Sequence, residues 1–113
     1  MKPLAHACLS VHKHGGHIDD YLDIHNFLDS SKAHVADSRH RALLHNSWGC
    51  FLTEQVFGVH RTNSAGRTYS VRDIAEEHIV QDLHRIPNVN EFLEKVPEQD
   101  WMGAIKTPHR NVD

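Results

Sequence analysis

The sequence predicts a mainly α-helical domain with one small β-hairpin, at about residues 59–71, between a long central helix and the helix after it. Three observations carry that expectation. Apolar residues recur at spacings of three, four and seven through two long segments, as they do in helices that bury one face. Between those segments, the β-prone arms Val59 to Thr62 and Arg67 to Val71 flank Asn63-Ser64-Ala65-Gly66, a turn composition. The chain is 113 residues long, with 24% charged and 39% hydrophobic residues, which suits one folded domain with a modest core. A globular unit over residues 1–102 and a flexible tail over 103–113 are expected.

The elements follow in order. "LAHACLSVHKH" is a short apolar segment, read as a helix ended by Gly15 and Gly16. "DDYLDIHNFLD" follows, with Asp19 as its N-cap and Tyr21, Ile24, Phe27 and Leu28 as its inner face. Ser30 or Ser31 caps the central helix, expected from about Lys32 to Phe57, with Gly58 in the position past its end. Gly49 interrupts that run and marks a bend or a close helix contact, while Trp48 and Phe51 read as core. Ser70 caps the next helix, which starts near Val71 with Asp73 at its third position, and Pro87 stops it. "NVNEFLEKV" is a last short helix capped by Asn88 or Asn90, after which Trp101 and Met102 dock.

Composition excludes several classes. The net charge is −3, from 12 basic and 15 acidic residues, and no block of Lys or Arg supplies a nucleic-acid footprint. No apolar stretch reaches membrane length, and "MKPLAHACLSVHKHGG" lacks the apolar core of a signal peptide, so a cytoplasmic location is expected. Cys8 and Cys50, far apart and unaccompanied, read as reduced thiols. Histidine is the anomaly, at 12 residues, and raises the prospect of metal binding. In "HKHGGH", His12, His14 and His17 read as a solvated glycine loop that chelates nickel or copper only adventitiously.

The sharper signal is where polar residues fall. In "RDIAEEHIVQDLHRIP", Val71, Ile74, Ala75, Ile79 and Ile86 form an apolar stripe, and His78 and Asp82 lie inside it. In the central run, Ala33, Ala36, Leu43, Leu44 and Phe51 form the stripe, with His40 and Ser47 inside it and Asp37 at its edge. Ser47 can bond back to its own helix. Packed together, the two stripes would gather Asp37, His40, His78 and Asp82 in a low-dielectric interior, where unpartnered polar groups cost several kcal/mol.

Three partners would remove that cost. The residues can satisfy one another as a structural network. They can hold a divalent transition metal (zinc, iron or manganese), since an i, i+4 pair aims two side chains at one ion. Or they can line a pocket and move protons. In the metal reading His40, His78 and Asp82 are ligands, and Asp37 is a fourth ligand or orients one of them. Arg41 then steadies an anionic substrate such as a phosphate, His45 serves as acid or base, and a metal-bound water is the nucleophile. Arg41 also sits four residues after Asp37, where a plain helix salt bridge accounts for both.

"DSSKAHVADSRHRALLHNSWG", "EQVFG", "TNSAGR" and "VRDIAEEHIVQDLHRIP" together resemble a family of small uncharacterised proteins of bacteria and their phages. The resemblance runs from about His6 to Met102. It departs at Asn46, where the family pattern has histidine, and at His84, where it has glycine. It implies a self-standing family member, working in a host cytoplasm if phage-encoded, and no particular reaction. A looser analogy is to HD-domain phosphohydrolases, helical metal enzymes, although no His-Asp dipeptide occurs in this chain. The rival reading is a non-enzymatic phage or bacterial protein that modulates a host protein, with its inward histidines and aspartates as a structural network. A homodimer is compatible with either.

Overall fold

A computed structural model describes residues 1–103; the expected tail over 103–113 lies, but for Gly103, outside the described residues. The architecture is helical with one two-stranded hairpin between helices, as the periodicity predicts. Helix α1, Pro3–His14, opens on a proline, whose fixed φ suits a first helical turn. It ends at Gly15, which adopts a positive φ of 81° that favours glycine. A 3-10 turn, Ile18–Asp20, then leads into α2, Leu22–Leu28, with Asp29 as its C-terminal cap.

The central run is not one helix. Residues 30–57 form two 3-10 turns, Ser30–Ala33 and Ser38–His40, then α3, Arg41–Leu44, and α4, Ser47–Phe57. The breaks have local causes. Asp37 accepts from the Arg39 amide and starts a new turn. At His45 the backbone leaves the helix with ψ of 60°, and Asn46 restarts it by accepting from the Gly49 amide at 2.8 Å. The Asn46 amide also donates to the Ala42 carbonyl at 2.9 Å, so one side chain closes α3 and opens α4. Gly49 is obligatory at this joint, because an added Cβ would stand 1.7 Å from the Leu44 carbonyl oxygen.

The break re-aims the predicted stripe. Leu43, Trp48 and Phe51 are exposed rather than core, and Ala33 and Ala36 are exposed too. Apolar spacing carries on across a capped joint, but the helix axis does not.

Strands β1, His60–Thr62, and β2, Thr68–Ser70, pair antiparallel in the register His60 with Ser70, Arg61 with Tyr69 and Thr62 with Thr68. Asn63 holds the turn by accepting from the Ala65 and Arg67 amides, and it donates to the His14 carbonyl, tying the hairpin to α1. Ser70 caps α5, Val71–Leu83, through the Asp73 amide at 3.2 Å. His84 ends α5 in the left-handed region, with φ of 66°. Helix α6, Val89–Leu93, starts in a reciprocal cap between Asn88 and Glu91. Trp101 does not dock, being 79% exposed.

The apolar core lies where α2, α4, α5 and the hairpin meet: Tyr21, Ile24, Leu28, Cys50, Tyr69, Val71, Ile74, Ala75 and Ile79. The rest of the interior is polar. His6, Ser10, His25, His40, His45, Asn46 and His78 are all buried, so α1, α2 and α5 pack their other faces around imidazoles. Among the described residues no helix is long and apolar enough to cross a membrane. Cys8 and Cys50 are both free thiols.

Candidate metal centre

Two helices present the same short motif to this interior. Helix α5 carries His78 and Asp82 in "HIVQD", and α2 with its cap carries His25 and Asp29 in "HNFLD". A spacing of four stacks both side chains on one helix face, one turn apart. The α3–α4 joint brings His45 in from a third direction. Asp29, His45, His78 and Asp82 each offer one donor atom, and these four atoms lie within 4.8 Å of one another.

The individual distances are tighter. His45 Nε2 is 2.8 Å from Asp82 Oδ2 and 3.5 Å from Asp29 Oδ1. His78 Nε2 is 3.3 Å from Asp29 Oδ1 and 3.4 Å from Asp82 Oδ2. The side chains of both histidines are 0% exposed, with Asp82 at 1% and Asp29 at 6%. On the far side of Asp82, His6 Nε2 approaches Oδ1 at 3.2 Å, as does the Met1 amino group, and an Arg41 guanidinium nitrogen stands 3.8 Å away.

Electrostatics sharpen the picture. Burial, with the neighbouring His78, holds His25 down to about 3 and His45 down to about 4, so both rings are neutral at neutral pH. Burial likewise lowers His6, again with His78 beside it. Desolvation alone would raise Asp82, but the hydrogen bond from His45 and the facing His6 and His78 outweigh it and hold the carboxyl down to about 2. Asp29 is lowered in the same way, its burial opposed by the His78 hydrogen bond. Two ionised carboxylates thus share an interior with largely neutral imidazoles. Three buried polar atoms here, His6 Nε2, Asp29 Oδ2 and His45 Nδ1, have no hydrogen-bond partner, nor does Arg41 Nε beside them.

His6, His25 and His78 also bring ring nitrogens within 4.8 Å, but that trio is a poor cation site. The three rings are nearly parallel, 18° to 21° between planes, and His6 stacks on His78 with centroids 3.7 Å apart. Imidazole lone pairs lie in the ring plane, so stacked rings do not converge on one ion.

The structure divides the residues expected from sequence. His78 and Asp82 stand together in the four-donor cluster. His45, expected as an acid or base, supplies a donor to it, and Arg41 lies at its edge. His40 is buried but outside: its Nδ1 is hydrogen-bonded with Ser31 Oγ at 3.0 Å, and its ring meets His45 edge-on at 5.5 Å. Asp37 is not at the site. Its side chain is 54% exposed and bound to Arg39 rather than Arg41, because the 3-10 turn it caps points it to solvent. Asp29, His25, His6 and Ser10 were not anticipated. The recurrence of His-x-x-x-Asp in "HNFLD" and "HIVQD" was the available signal, with His25 at i+4 from Tyr21 on the inner stripe of α2.

A family model for DUF6915, a domain of unknown function, matches residues 1–102. The chain belongs to that family. No curated protein and no solved structure matches it. The DUF6915 match covers every residue of the cluster, from His6 to Asp82, and the likeness to HD-domain phosphohydrolases remains one of ligand type and helical setting.

Proposed function

We propose that this protein binds one divalent transition-metal ion between α2 and α5 through Asp29, His45, His78 and Asp82. The donor spacing supports this reading above all. Bonds of about 2.0–2.2 Å to nitrogen and oxygen set tetrahedral donors about 3.3–3.6 Å apart, and the four His–Asp contacts here run from 2.8 to 3.5 Å. Charge agrees: a divalent cation neutralises the two buried carboxylates. Two imidazoles and two carboxylates suit zinc, iron or manganese.

The finer proposal is a metal-dependent hydrolase for a small phosphate-containing substrate. Arg41 supports it, since its partly exposed guanidinium borders Asp82, where it can meet an anionic oxygen. When bound, such an ion supplies Lewis acidity toward water and phosphate. In that reaction Asp29, His45, His78 and Asp82 hold the ion, Arg41 orients the anion, and His6 Nε2 accepts a proton on the Asp82 Oδ1 side. The metal decides between two uses. Zinc with four protein ligands is a closed, structural site, whereas iron or manganese takes further ligands and leaves room for substrate.

Elemental analysis of the purified protein, with and without chelator, tests the proposal. One equivalent of metal, lost in Asp82→Ala, is expected. A panel of phosphate esters follows, and turnover that survives Asp82→Ala overturns the hydrolase. Metal-free protein with melting unchanged by chelator overturns the metal centre. It would leave a hydrogen-bonded structural network, and pull-down of a host protein partner would be the next measurement.

A further inference from the structure

His78 faces the four-donor cluster with Nε2 only. Its Nδ1 points the other way and meets His25 Nδ1 at 2.8 Å. The ring centres are 5.1 Å apart with 21° between planes, the separation two imidazoles reach when they meet nitrogen to nitrogen along one line. That is hydrogen-bond geometry, and one of these nitrogens must carry the proton. His25 Nε2 continues the line to Ser10 Oγ at 2.8 Å, and Ser10 Oγ has a second partner in the His6 carbonyl at 3.2 Å. All these side chains are buried, so no bulk water substitutes for a missing bond.

We propose that Ser10 and His25 form a hydrogen-bond wire that sets the tautomer of His78, and that the wire reverses its sense when a cation occupies the four-donor site. This rests on the metal reading above. Without an ion, His78 Nε2 stands between two carboxylates and must donate to them. Its Nδ1 then accepts from His25 Nδ1–H, and His25 Nε2 accepts from the Ser10 hydroxyl. With an ion, His78 Nε2 gives its lone pair to the metal and releases its proton to solvent, and one proton from solvent enters the His78–His25 pair as it opens and re-forms, so that Nδ1 carries the proton. His78 Nδ1–H then donates to His25 Nδ1, His25 Nε2–H donates to Ser10 Oγ, and the hydroxyl turns to the His6 carbonyl. The wire holds the same number of protons in the two states. The serine makes this work, because a hydroxyl donates in one sense and both accepts and donates in the other. His25 is therefore a positioning residue for a metal-ligating histidine, a role a carboxylate or carbonyl more often fills.

Two-bond 15N–1H spectra of histidine-labelled full-length protein read each tautomer directly, first in chelator and then with one equivalent of zinc. The expected result is His78 protonated on Nε2 and His25 on Nδ1 without zinc, exchanging to His78 Nδ1–H and His25 Nε2–H with it. Zinc uptake with an unchanged His25 tautomer overturns the wire and leaves the metal centre standing. Failure to take up zinc overturns both. Cadmium coupling to a His25 nitrogen overturns the wire as well, since His25 would then be a ligand. In affinity, His25→Leu should weaken zinc binding by about 10- to 100-fold, whereas His25→Gln, whose amide can donate and accept in either sense, should restore it to within a few-fold. If His25→Leu does not fold, Ser10→Ala serves in its place, keeping the zinc stoichiometry but abolishing the Nε2–H signal exchange of His25; full exchange in that variant overturns the wire.

Discussion

His45 Nε2 lies 2.8 Å from Asp82 Oδ2 across 37 residues of sequence, and that contact joins the α3–α4 joint to α5. Both side chains are closed off from solvent. His45→Ala therefore removes a proposed metal donor and strips a buried carboxylate of its shortest partner. In chelator, the variant should be less stable than the parent by about 3 kcal/mol, read by denaturant titration. Asp37→Ala should leave both metal content and stability nearly unchanged, since Asp37 touches only Arg39 in solvent. Equal metal loss in the two variants would show that the ligands had been chosen wrongly.

Acid should unfold the metal-free protein early, and the sign follows from the histidines. His25 and His45 titrate at about 3 and about 4 when folded, against 6.5 ordinarily. Between those values the unfolded chain takes up protons that the folded chain refuses, so stability is full above pH 6.5 and falls as the pH drops. Each histidine contributes up to about 1.4 kcal/mol per pH unit across its own window. Asp82, ordinarily at 3.8 and here about 2, adds a further loss in the same direction below pH 3.8. Melting temperature in chelator should decline steadily from pH 7 to pH 4. A flat profile across that range would mean the imidazoles are not buried in neutral form.

His84 ends α5 with φ of 66°, a conformation that costs a side-chain-bearing residue about 1 kcal/mol. Its ring is exposed and has no role in the cluster. His84→Gly should raise the melting temperature by a few degrees without altering metal content. A left-handed cap favours glycine at this position. A lower melting temperature in His84→Gly would mean that the histidine makes a contact worth more than the strain.

Helix α5 was legible in sequence almost to the residue, because Ser70 caps it, His78 and Asp82 break its apolar stripe, and one helix face reports on burial directly. The hairpin was equally plain from its turn composition. The central run misled, since Ala33 to Phe51 keep a helical spacing across a joint that Asn46 and Gly49 impose. That joint swung His45 inward, the 3-10 turn that Asp37 caps turned Asp37 outward, and neither displacement shows on a helical wheel. His25 and Asp29 escaped notice for another reason. Four apolar residues account for the inner face of α2, and nothing local says that its histidine is wanted by a partner on α5, 53 residues on.

The contact between Gly49 and the Leu44 carbonyl bears on more than chain direction. Asp29, His78 and Asp82 ride on α2 and α5, whose separation the apolar core fixes. His45 hangs from an elbow with no slack, since not even a methyl group fits inside it. The backbone from which His45 reaches the cluster is therefore held in place by backbone. Holding an ion as proposed, such a site would work as a caliper set to one width. It would discriminate between ions by radius before ligand chemistry is consulted, with the large, oxygen-seeking calcium ion the first to be refused.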